Sequence, residues 1–224
     1  MKRLSIAIDG PAGAGKSSVA RILARRMGYT YLDTGAMYRA VTYEALRRDL
    51  SAESDIIAMA RSLDMTVAPG EAHMRVFLGG EEVTDQLRTP GVSAAVSRVS
   101  AIPDVRAVMV ALQRKLAAAG GTVLDGRDIG TVVLPQADVK IFLTASPRTR
   151  ALRRYAELGG EAAGLSVDAI EEDIRKRDLL DSTRAASPLV PAADAVHLDN
   201  SSLTLEETAE AIMAVCRKKA GAES

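Results

Sequence analysis

Two hydrophobic textures recur along this chain: short apolar runs closed by glycine or aspartate, and longer stretches with an apolar residue every three or four positions. Leu4 to Ile8 reads as a buried strand that runs into a glycine-rich turn. A helix follows, with Val19, Ile22, Leu23 and Met27 on its apolar face. Tyr29 to Leu32 predicts a second strand ending at Asp33, and Met37, Val41 and Leu46 a helix behind it. Two strand-loop-helix units in tandem point to a layered α/β architecture.

From about Asp64 the pattern changes. Thr66 and Val67, then Arg75 to Leu78, a Gly79-Gly80 turn and a return through Val83 predict a small antiparallel hairpin, so residues 64–102 are expected to form an insertion. Pro103 opens a long helix with Val105, Val108, Met109, Leu112 and Leu116 on one face, closed by Gly120 and Gly121. Thr122 to Leu124, ending at Asp125, and Val139 to Leu143 read as further strands of a parallel sheet whose functional loops lie at its carboxyl edge. Ser146 to Arg184 reads as interrupted helix, and Gly159, Gly160 and Gly164 in its middle suit a hinge or lid. Ala195 to Leu198 supplies a last strand, and Thr204 with Glu207 a capping box for the closing helix.

Composition narrows the classes. The 224 residues are 47% hydrophobic, enough for one substantial core with a smaller insertion, and 29 basic residues balance 29 acidic ones. No overall field favours a nucleic acid polymer or an anionic membrane, so any phosphate chemistry rests on local clusters. Cys216 is the sole cysteine, beside His73 and His197, which leaves no zinc set or disulfide and suggests a reducing, cytoplasmic setting. No apolar stretch approaches a membrane span, and a monomer is the expected state.

Gly10, Pro11, Ala12, Gly13, Ala14, Gly15, Lys16 and Ser17 satisfy G-x-x-x-x-G-K-[ST] between a strand and a helix. In that context backbone N–H groups through Ser18 converge on phosphate oxygens, and the helix N-terminus adds positive potential. Lys16 sets its charge between β- and γ-phosphates, and Ser17 is the expected Mg²⁺ ligand of an ATP-dependent P-loop enzyme. No Asn-Lys-x-Asp or Asp-x-x-Gly motif accompanies the loop, which argues against a GTP switch. A second anionic substrate needs cations placed opposite the donor, because the reacting oxygens repel one another. Arg39, Arg127, Arg177 and Arg184 can each fork onto phosphate, with Arg153 and Arg154 as weaker candidates. Asp125, at a strand end, can hold Mg²⁺ through water, and Asp33 can position the acceptor or cap the helix after it. The two histidines receive no role, since an ionised phosphate acceptor needs no base.

Several segments resemble the bacterial cytidylate kinases, a family of nucleoside monophosphate kinases, over nearly the whole chain: Ile8 to Pro11, Leu32 to Arg39, Asp125 to Thr131, Arg177 to Arg184 and Pro188 to Asp194. The resemblance implies a P-loop NTPase three-layer fold with a core (1–63 and 103–224), an acceptor-binding insertion (64–102) and a helical lid at about 146–184. It implies transfer of the γ-phosphoryl group of Mg·ATP to CMP or dCMP. On that resemblance Ser97, Arg106 and Asp128 look like cytosine readers, Asp181 a sugar contact, and Arg39, Arg127 and Arg184 an acceptor-phosphate clamp that Arg177 and Thr34 join. Lys16, Asp33, Arg127, Arg177 and Arg184 form the expected catalytic set. Two departures stand out: Leu179 and Leu180 occupy a stretch more charged in relatives, and the lid middle is rich in glycine and alanine. Other readings are a P-loop kinase acting on a different small acceptor, and a nucleotide-binding regulator that turns nothing over.

Overall fold

A computed structural model describes residues 3–71, 73–160 and 164–222. The chain forms two compact units, residues 1–29 with 120–224, and residues 30–119.

The first unit is built on parallel strands. β1 (Ser5–Asp9) lies between β6 (Thr122–Gly126) and β7 (Val139–Thr144), and β8 (Val196–Asp199) pairs with β7. Ile6, Ala7, Ile8, Val123, Leu124, Ile141 and Leu143 are buried, because helices cover the sheet and each strand must be apolar on both faces. β8 pairs on one side with β7 and is largely exposed, and His197 lies against Phe142 with ring centroids 5.6 Å apart. The register aligns Asp9 with Gly126 and Phe142, and Thr144 with Asp199. The loops after β1, β6, β7 and β8 therefore leave from one carboxyl edge, where open α/β sheets bind ligands.

α1 (Lys16–Met27) and α8 (Leu205–Ala222) pack against each other, and Val19, Leu23, Ala209, Ile212 and Cys216 are among their buried residues. The capping box forms: Thr204 N donates to Glu207 Oε2 at 2.8 Å, and Glu207 N donates to Thr204 Oγ1 at 3.2 Å. Losing it in Thr204→Ala is expected to lower unfolding free energy by about 1 kcal/mol, measured by urea denaturation, with turnover unchanged. α6 (Pro147–Glu157) and α7 (Val167–Thr183) are the two pieces of the interrupted helical region, and they pack together. Of the glycine- and alanine-rich middle of this region, residues 161–163 lie outside the described residues, and Gly159, Gly160 and Gly164 on either side have positive φ.

The second unit opens with β2 (Thr30–Asp33) and α2 (Thr34–Arg47), and it includes residues 64–102 within its wider bounds. Its antiparallel sheet has three strands rather than two: β3 (Met65–Ala68), β4 (Arg75–Leu78) and the two-residue β5 (Glu81–Glu82). α3 (Glu53–Ser62), α4 (Pro90–Ala101) and α5 (Pro103–Ala117) complete it around Met37, Val41, Ile56, Val76, Val99, Val105 and Met109.

Candidate active site

The phosphate loop leaves β1 at Gly10, whose φ of 148° favours glycine. A Cβ there would stand 2.0 Å from the Leu143 carbonyl oxygen, so glycine alone lets the loop run this close to β7. Lys16 begins α1 and is 5% exposed, with Nζ donating to the Pro11 carbonyl at 2.8 Å. Burial pushes its pKa down to about 7; the Arg127 charge adds to this, while Asp125, Asp9 and Asp181 oppose it. Ser17 Oγ donates to Asp125 Oδ2 at 2.8 Å. Ser18 accepts from Arg21 Nη2 at 3.4 Å on the next turn of the helix.

A hydroxyl and a strand-end carboxylate in contact form a hard oxygen pair. That pair fits Mg²⁺, which takes one or two protein oxygens and completes its shell with water and substrate phosphates. The described residues hold no cluster of three metal-ligating side chains that would suit a softer ion.

Three side chains that the sequence reading did not single out in this role brace the loop from behind. Asn200 Nδ2 donates to the Ala14 carbonyl at 3.0 Å, and Arg150 Nη1 donates to the Ala12 carbonyl at 3.1 Å. Arg153 donates to Asn200 at both Oδ1 and the backbone carbonyl. Arg150 also grips Asp178 of α7 with two nitrogens, at 3.0 and 2.6 Å. Through Arg150 these contacts tie α6 to the loop's own backbone and α7 to α6. A run of arginines on α6 has the pattern of a solvated face, and Arg148 and Arg154 do lie at the surface, paired with acidic neighbours. Arg150 differs from them only in its burial, which periodicity alone does not reveal.

A second cluster in the same unit joins Arg127, Asp128, Arg177, Asp181 and Arg184. Arg127 Nε lies 2.8 Å from Asp181 Oδ2, and Arg184 Nη2 lies 4.0 Å from Asp128 Oδ1. Arg184 Nε donates to the Ser187 carbonyl at 2.6 Å, and the Asp181 carbonyl accepts from Leu189 N at 2.8 Å, so the Pro188-to-Asp194 segment is secured to α7. Burial raises the Asp181 pKa, but the charges of Arg127, Arg177 and Arg184 and the hydrogen bond from Arg127 outweigh it, so the carboxyl titrates below the ordinary aspartate value. With three guanidinium groups to two carboxylates, the cluster keeps positive charge for an anionic ligand.

The remaining candidates belong to the second unit. Asp33 caps α2, with Oδ1 accepting from Ala36 N at 2.8 Å, and Arg88 Nη2 stands 3.9 Å from its Oδ2. Thr34 is buried in the first turn of α2. Arg39 lies along Gly35, where a Cβ would come within 3.1 Å of Arg39 Nη1. Arg106 is buried on α5, with its guanidinium 5.1 Å from the centre of the Tyr38 ring and Nη1 donating to the Ser100 carbonyl. Ser97, half-buried on α4, accepts from Ser100 Oγ at its carbonyl.

The family model for cytidylate kinases matches residues 6–218. The chain belongs to the cytidylate kinase family. It is 50% identical over 221 residues to the cytidylate kinase of Enterococcus faecalis, covering 98% of each chain. The cytidylate kinase of Desulfitobacterium hafniense is 50% identical over 97% of this chain and 94% of its own length. That of Bacillus licheniformis is 49% identical over 98% of both. Among solved structures, an uncharacterized protein from Eubacterium ventriosum superposes with a TM-score of 0.52 at 13% identity, over 95% of this chain and 98% of that one, a likeness of fold alone. The phosphate loop and the Asp125-to-Thr131 segment both fall within the matched span of this kinase family. Among the described residues no helix is long and apolar enough to cross a membrane.

Proposed function

We propose that this kinase transfers the γ-phosphoryl group of ATP to the 5′-phosphate of CMP, giving ADP and CDP, with dCMP as a second acceptor. The observation that carries the reading is the pairing of β1 with β6 through Asp9 and Gly126, which sets the donor loop beside the segment whose Arg127 holds Asp181, in an arginine cluster suited to a second phosphate. Near-half identity to curated cytidylate kinases over almost the full chain agrees with it.

In this mechanism Gly10 to Ser18 wrap the donor phosphates with backbone N–H groups, and Lys16 exchanges its bond to Pro11 for phosphate oxygens. Ser17 would hold Mg²⁺ directly and Asp125 would hold it through water, and the bound ion would supply positive charge to offset that on the donor phosphates. Arg39, Arg127 and Arg184 clamp the acceptor phosphate, Arg177 and Asp181 take the sugar, and Asp33 and Thr34 orient the acceptor. The nucleophile is an ionised phosphate oxygen, so positioning and charge compensation suffice without a base.

Cytosine presents an exocyclic amine beside ring acceptors. Asp128 accepts from the amine while Ser97 and Arg106 donate to the ring. Uracil turns a carbonyl oxygen toward the same carboxylate and leaves it unpaired, a mismatch that polar sites reject strongly. The 64–102 segment serves as the acceptor-binding insertion and residues 146–184 as the lid, in a cytoplasmic, monomeric enzyme that acts on nucleotides rather than on a nucleic acid polymer.

The test is ADP release from Mg·ATP with CMP, dCMP, UMP, AMP, GMP, shikimate or no acceptor. Turnover with cytosine nucleotides at least about 100-fold above UMP in kcat/KM is expected, a lower bound for a site that reads its base through buried hydrogen bonds. Turnover with a different acceptor would replace CMP as the substrate, and none with any acceptor would leave a nucleotide-binding protein.

A further inference from the structure

Asp9 ends β1 and immediately precedes Gly10, and none of the roles assigned above belongs to its side chain. That side chain is buried, and both oxygens are engaged: Oδ1 accepts from Ile129 N and Oδ2 from Gly130 N, each at 2.7 Å. The two amides open a single π-helical turn, Ile129–Val133, in which Val133 N donates to the Asp128 carbonyl and Leu134 N to the Ile129 carbonyl. The first amides of any helical turn lack partners within it, and Asp9 supplies them from a neighbouring strand. Arg127 and Asp128 are the two residues just before this turn.

The other face of the turn is closed as well. A Cβ on Gly130 would come 3.2 Å from Lys140 Cδ and 3.4 Å from Asp9 Oδ2, so the backbone lies flat against both side chains. Lys140 Nζ donates to the Pro135 carbonyl at 2.6 Å and to Asp194 at 2.9 Å, which fixes the far end of the segment.

We infer that Asp9 is a positioning residue: by taking both amides of the π turn, it sets Arg127 and Asp128 in place relative to the phosphate loop that begins one residue later. A carboxylate is required because both contacts need an acceptor. Asparagine offers one acceptor and turns its amino group toward a backbone N–H, donor against donor. Burial pushes the Asp9 pKa up to about 6, partly offset by the two amides and the Lys16 charge, with Asp128 acting in the direction of burial.

Asp9→Asn tests this through two readouts. Amide exchange at Ile129 and Gly130 is expected to speed up at least tenfold, with Ile6 and Ile8 unchanged. KM for CMP, whose use as acceptor rests on the function proposed above, is expected to rise at least tenfold while KM for ATP stays within twofold. Unchanged exchange at the two amides would overturn the inference, as would equal rises in both KM values, or a lower kcat with both unchanged, the mark of a smaller folded fraction. If the Asp9→Asn protein does not fold, Gly130→Ala, whose added methyl crowds Lys140 Cδ and Asp9 Oδ2, decides by the same criteria. Absence of CMP turnover in the wild type would remove the proposed acceptor, and amide exchange would still judge Asp9.

Discussion

Lys16→Met should reduce kcat by about 100- to 1000-fold without lowering the thermal midpoint, the loss typical of removing one preorganised charge from a phosphoryl-transfer site. The two effects separate because this lysine is itself costly to the fold. It is almost wholly buried, and its pKa falls to about 7 because burial and the nearby Arg127 charge disfavour the ammonium. Methionine fills a similar volume and carries no charge to desolvate, so the apo protein has no reason to lose stability. Steady-state kinetics beside a thermal melt checks both parts. A variant that melts well below the wild type would mean that the bond to Pro11 and the surrounding carboxylates contribute more than the burial costs.

Arg127→Met is expected to damage both activity and stability, and a second substitution should separate them. Arg127 holds Asp181 at 2.8 Å with side chains 20% and 12% exposed, so its removal leaves a mostly buried carboxylate without its nearest cation. The expected cost is about 2 kcal/mol by urea denaturation, below the roughly 3–5 kcal/mol of a fully buried pair because Arg127 keeps some water. The acid limb should move too. The folded-state pKa of Asp181 is depressed, so its stabilisation is present above the ordinary aspartate value and is lost as pH falls through the folded one. Without Arg127 that folded pKa rises, and the loss of stability begins at a higher pH. Adding Asp181→Asn should recover most of the stability and none of the activity, since kcat/KM for CMP should remain at least about 100-fold down without the clamp cation. Recovery of activity in the double variant would mean that Arg127 acts through its pair with Asp181 rather than on the acceptor.

The unevenness of what could be read in advance follows from the range of each interaction. Strand β1, the loop and α1 were legible because a local apolar run, a glycine spacing and a helical period all agree within 25 residues. α3 and α4 were not. α4 is mostly Ser, Ala and Val, with Val92, Val96 and Val99 as its buried face, a stripe too thin to register as an amphipathic helix. β5 is two residues long and exists by pairing with β4, so its sequence carries no strand signal. Asp33 showed both its faces: its position at the end of β2 marked it as a candidate, and its carboxylate caps α2.

The sequence alone determined the α/β class, the phosphate-loop motif, the family, and the acidic and basic residues from which a site could be assembled. All of these are written in short stretches, where spacing along the chain is also spacing in the structure. Tertiary structure decided which of those charges meet. Arg127 finds Asp181 across 54 positions, Asn200 reaches the Ala14 carbonyl across 186, and Asp9 takes the amides of Ile129 and Gly130 across 120 and 121. Such partners are brought together by the register of parallel strands and by the burial of apolar faces, which leave each polar group only those partners that the packing places within reach.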